Sequence, residues 1–163
     1  MSDQKFNIRQ CPLTTHYIEN VYPETASALS MLNEFRKAAE GGEADAIYQY
    51  GLQIYQLLLD EFEDDDDSQN VFGDLPSEVW DDAIKLSYEM FYQAARGKHP
   101  EGMLWVAWCK FMSIGTEENL YQAKMWFDAA KDLVGDEVYM RQIVEKELEG
   151  VEKSPLYKKP TFN

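Results

Sequence analysis

The residues best suited to hold a metal or to form a nucleophile–base pair are few: His16, His99, Cys11 and Cys109. His16 lies five residues after Cys11, and His99 lies ten before Cys109. The chain therefore lacks the pair of closely spaced arms that a structural zinc site needs. No glycine-rich phosphate loop, nucleophile elbow or two-histidine helix face occurs. The acidic run Asp60-Glu61-Phe62-Glu63-Asp64-Asp65-Asp66-Asp67 could bind calcium. A loop opening at Asp64, however, puts Gln69 where the sharp turn needs Gly and Leu75 where the bidentate Glu belongs. The expectation is a chain that is not an enzyme and carries no cofactor or metal.

Charge says more than these groups do. Thirty acidic residues against 15 basic ones give a net charge of −15 in 163 residues. Phosphate contacts need a positive surface, so nucleic acid is disfavoured as a partner, and anionic membranes with it. A basic protein partner is favoured, because opposite fields speed encounter. No apolar run reaches the length of a membrane span. The start, Met1 to Phe6, lacks the basic and apolar regions of a secretory signal, so the expected place is the cytoplasm. Two cysteines make no disulfide framework, and Cys109 sits among apolar residues as a small core residue would.

The elements that position these residues are helical. Ala28, Leu32, Phe35 and Ala39 recur at helical spacing, and Gly41-Gly42 follows. A helix over about 43–61 carries two stripes: Ile47, Gly51, Ile54 and Leu58, beside Tyr48, Tyr55 and Phe62. Two stripes mean two buried faces. Gly51 weakens that helix by about 1 kcal/mol against Ala, which close approach of a neighbour would offset. Residues 60–76 read as an acidic, solvated loop. Further helices follow from about Ser77 to Gly97, 101–113, 117–133 and 136–149. Ser77 and Thr116 are the expected caps. Residues 1–23 read as an irregular lead-in, 24–150 as one helical domain, and 151–163 as an extended tail with Lys153, Lys158 and Lys159. No segment alternates with period two.

Three of these helices end alike: Phe35 to Gly41, Phe91 to Gly97 and Trp126 to Lys131 each set an aromatic three residues before an Ala-Ala pair. Ala94 and Ala129 are 35 residues apart, a period that stacked helical hairpins use. Small residues follow eight positions after Ala38 and Ala94, at Ala46 and Gly102, and recur at Gly51 and Ala107. This pattern resembles the Sel-one-like repeat family, a branch of the tetratricopeptide superfamily. It departs at the 56-residue spacing of Ala38 and Ala94, and at Glu137, where a small residue belongs.

The resemblance implies an all-α, right-handed superhelical stack of antiparallel helix pairs, about six to seven helices. It implies binding through the concave face without chemistry of its own. Small bacterial members resemble immunity proteins that neutralise a toxin. The expected function is thus a protein-binding module for a basic partner, immunity-protein-like, or alternatively an adaptor or assembly chaperone that holds a peptide or helix in its groove. Expected contact residues are the concave rings Tyr50, Trp105 and Trp108, with Glu63, Asp64, Asp65, Asp66 and Asp67 steering the partner.

Overall fold

The computed structural model describes residues 8–16, 23–59 and 75–152. They form seven helices, with no strand among them: α1 Pro12–His16, α2 Pro23–Ala39, α3 Ala44–Leu58, α4 Ser77–Arg96, α5 Pro100–Met112, α6 Leu120–Lys131 and α7 Tyr139–Glu152. The fold is all-α, as the spacing of apolar residues predicts. The caps differ from expectation in two places, and α7 starts at Tyr139 instead of 136. Pro76, not Ser77, holds the cap position of α4, and no side chain bonds there. Asn119, not Thr116, caps α6, its side chain accepting from the Gln122 amide at 2.9 Å. Asn119 is in the extended backbone an N-cap needs, which starts the helix three residues later than the pattern suggests.

From α2 to α7 each helix packs on the next in the chain, and α7 also reaches back to α5. The seams between helices are lined by small residues. Gly51 of α3 meets α4 so closely that an added Cβ would stand 2.9 Å from Met90 Cβ and 3.1 Å from the Ser87 carbonyl. Ser87 Oγ donates to the Gly51 carbonyl at 2.7 Å across the same crossing, so the one buried hydroxyl on α4's inner face is satisfied. At the next crossing a Cβ on Gly102 would meet Ala94 Cβ at 3.1 Å. Ala94 is thus a contact point, where a larger side chain would hold α4 and α5 apart, while of the other two pairs only Ala39 and Ala130 are buried.

The N-terminal segment is more than a lead-in. Ile8, Cys11, Leu13 and Thr14 are buried, and α1 packs on both α4 and α2. The Tyr50 hydroxyl donates to the Arg9 carbonyl at 2.8 Å. Arg9 lies 3.3 Å from Asp82 and 3.5 Å from Glu89, exposed pairs that each contribute at most about 1 kcal/mol. Burial of Leu13, by contrast, contributes about 1.5–3 kcal/mol. Hydrophobic burial holds this strap; the ion pairs orient it.

Candidate functional site: two ring-bearing faces

An aromatic layer joins α3, α4 and α5. Phe91 stacks on Trp105 at 5.1 Å, Tyr55 meets Trp105 edge-on at 4.7 Å, and Tyr48 lies 5.9 Å from Phe91. Helices α3 and α5 run the same way, since Tyr48 stacks on His99 at 4.6 Å while Tyr55 meets Trp105. Two of the three expected contact rings belong to this interior. Tyr50 is fully buried and Trp105 is 7% exposed. Their assignment as binding anchors is therefore corrected: Tyr50 is committed to the Arg9 carbonyl, and Trp105 is sandwiched in the ring layer. Periodicity shows that a helix has two apolar stripes, but not that both are covered.

Trp108 differs. It is half-buried, its indole N–H donates to the Tyr55 hydroxyl at 3.2 Å, and it lies 6.3 Å from Phe111 in a stacked pose. Met112, next to Phe111, is 45% exposed. This ring-and-thioether surface closes the C-terminal end of α5. The neighbouring end of α3 finishes at Leu58, one turn beyond Tyr55. Glu63, Asp64, Asp65, Asp66 and Asp67 lie outside the described residues. In the sequence the acidic run begins at Asp60, directly after Leu59.

At the other end of the α3–α5 face stand Asp45, Tyr48, His99 and Glu101. Asp45 and Glu101 are exposed. Burial first, and then the Glu101 carboxylate, push the Tyr48 phenol above its ordinary range, so it stays neutral. His99 Nε2 donates to Asp45 Oδ1 at 3.0 Å, and Nδ1 accepts from the Gly102 amide at 3.0 Å. An Asp–His pair suggests a general base, yet both ring nitrogens are occupied. Nδ1 caps α5 and Nε2 carries the proton held by Asp45, so no lone pair is left to take a proton from a substrate. His99 works here as the N-cap of α5.

A second ring cluster escaped the sequence reading. Tyr88 and Tyr92 of α4 lie 6.1 Å apart, and Tyr92 meets Trp126 of α6 edge-on at 6.0 Å. Lys110 Nζ sits 5.5 Å from the Tyr88 ring centre. Tyr88 stands at helical spacing between Ile84 and Phe91 and packs partly against the core, whereas Tyr92 is exposed.

The remaining groups offer little chemistry. Both cysteines are buried, and burial pushes the Cys11 thiol up to about 11 and the Cys109 thiol further still. Neither is a thiolate at neutral pH. Among the described residues no three His, Cys, Asp or Glu side chains gather as a metal site. A shallow recess between α2 and α3 is lined by Ala28, Met31, Leu32, Gln53 and Leu57, with no ionisable group. No described helix is long and apolar enough to cross a membrane. Comparison with protein-family models, curated proteins and solved structures finds no match to this chain.

Proposed function

We propose that the chain is a non-enzymatic binding module of the cytoplasm that holds a basic protein partner on its α3–α5 face. Helices α2 to α7 are read as Sel-one-like hairpins stacked in a right-handed superhelix. Packing in chain order and the small-residue seams at Gly51 and Gly102 support that reading. In its sharpest form the module neutralises a toxin, as an immunity protein does. One observation carries the proposal: the half-buried Trp108, beside Phe111 and the exposed Met112, stands at the C-terminal end of α3, and the acidic run follows α3 in the sequence. Carboxylates steer the partner by long-range attraction, and the ring anchors it, since Trp and Tyr dominate binding hot spots. Neither metal nor cofactor nor nucleic acid takes part.

The exposed thioether of Met112 next to Phe111 favours a second reading, an adaptor groove that takes a peptide or helix. Salt separates the two. The chain is immobilised, partners are captured from cells of its source at low ionic strength, and elution is followed along a salt gradient. A basic partner released as salt rises, and lost with Trp108→Ala, supports charge steering with a ring anchor. Retention that ignores salt favours the adaptor. Retention that ignores both salt and Trp108→Ala removes the α3–α5 face from the account.

A further inference from the structure

The outer ridge of α4 carries an unspent positive charge in a strongly acidic chain. Lys85, Tyr88, Tyr92 and Arg96 follow at spacings of three, four and four, so they stand in one row on the helix. Trp126 of α6 packs edge-on against Tyr92, and Lys110 sits over Tyr88. Tyr92 is 38% exposed, and Lys85 and Arg96 are exposed. Neither of these two cations forms an ion pair among the described residues, although acids outnumber bases two to one in the chain. Asp81, one turn before Lys85 on α4, is exposed, whereas the other acids nearby are engaged. Glu89 is held by Arg9 at 3.5 Å, and Asp128 by Lys124 at 3.4 Å and Lys131 at 3.6 Å.

We propose that this ridge is a second docking surface, and that it takes an acidic peptide segment with an aromatic or aliphatic anchor. Charge complementarity names the occupant: Lys85 and Arg96, without an ion pair among the described residues, flank the exposed Tyr92 ring. Along the helix axis Lys85 and Arg96 are separated by about 16 Å, from a rise of about 1.5 Å per residue. An extended peptide advances about 3.3 Å per residue, so its two carboxylates should lie about five residues apart. The anchor between them meets the Tyr92–Trp126 pair. The surface belongs to α4 and α6, with Lys110 of α5 over Tyr88, and it uses neither Trp108 nor Met112.

The test uses the full chain, isotope-labelled, and the capped hexapeptide Asp-Ala-Phe-Leu-Ala-Glu as probe. Titration followed by NMR should give saturable shifts of the Tyr88, Tyr92 and Trp126 ring signals. The double variant Lys85→Glu/Arg96→Glu should weaken binding about tenfold or more with its helical circular dichroism unchanged. Lys85→Gln/Arg96→Gln, which removes charge without reversing it, should weaken binding less. A peptide with Lys in both acidic positions should not shift these rings. Three results overturn the proposal: no saturable ring shift at millimolar probe, equal affinity in the charge-reversed variant, or tighter binding of oligothymidylate than of the peptide at the same rings.

Discussion

The same substitution at two helical glycines should move stability in opposite directions. Gly51 lies in α3 and Gly150 in α7. An alanine methyl at position 51 would stand 2.9 Å from Met90 Cβ, 3.1 Å from the Ser87 carbonyl and 3.3 Å from Phe91 Cδ1. Comfortable contact between carbons begins at about 3.5 Å. Two of the three obstacles are a Cβ and a main-chain oxygen, which cannot rotate away, so α3 and α4 must part. Such overpacking costs about 1–3 kcal/mol. Parting also stretches the Ser87–Gly51 hydrogen bond, which contributes about 1 kcal/mol. Against this stands the helix-propensity gain of about 1 kcal/mol. Gly51→Ala should therefore destabilise by about 1–3 kcal/mol and lower Tm by several degrees. At Gly150 nothing lies within 4 Å of the added methyl, so Gly150→Ala should stabilise by up to about 1 kcal/mol. Urea unfolding followed by circular dichroism measures both. If Gly51→Ala also stabilises, α3 and α4 do not cross at this point and the seam is misplaced.

Four further outcomes follow from the same geometry. Gly115→Ala should cost about 2 kcal/mol or more, because Gly115 holds φ +68° and its methyl would lie 2.6 Å from the Ile84 carbonyl; thermal unfolding reads this. Tyr50→Phe should cost about 1–3 kcal/mol by stranding the Arg9 carbonyl, while capture of the partner stays intact, which separates a core role from a binding role. His99→Ala should cost about 1 kcal/mol through the lost cap, and His99→Asn, which can still accept from Gly102, should cost less in the same unfolding assay. Cys11 has a folded value of about 11 against an ordinary 9.0, so its contribution is complete below pH 9 and lost as pH rises through about 11. Cys11→Ala, compared with the parent across that window, should abolish this part of the alkaline loss of stability.

The helices were legible because apolar residues recur at three and four positions, and the seams because Ala and Gly mark where backbones approach. Gly51 shows the second signal well: its propensity cost predicted a close neighbour, and Met90 and Ser87 supply it. What periodicity does not encode is which neighbour covers a stripe. Tyr50 read as a groove residue because nothing in the sequence ties it to Arg9, 41 positions away, and yet that contact buries it. Trp105 was misplaced for the same reason. Spacing likewise does not encode that Tyr92, exposed on α4, meets Trp126 of α6. The burial of Leu13 and Cys11 was not legible, since the short segment around Pro12 shows no period.

Site-specific photocrosslinking at position 108 tests the binding account most directly. A benzoylphenylalanine in place of Trp108 keeps a ring at the half-buried site, and the same probe at Met31, which is 51% exposed on α2, serves as the control. The account predicts a single basic protein joined at position 108 but not at 31, with a yield that falls as ionic strength rises and with Asp64 to Asp67 changed to Asn. An adduct to a neutral or acidic protein, or one whose yield ignores both salt and the four aspartates, would contradict it.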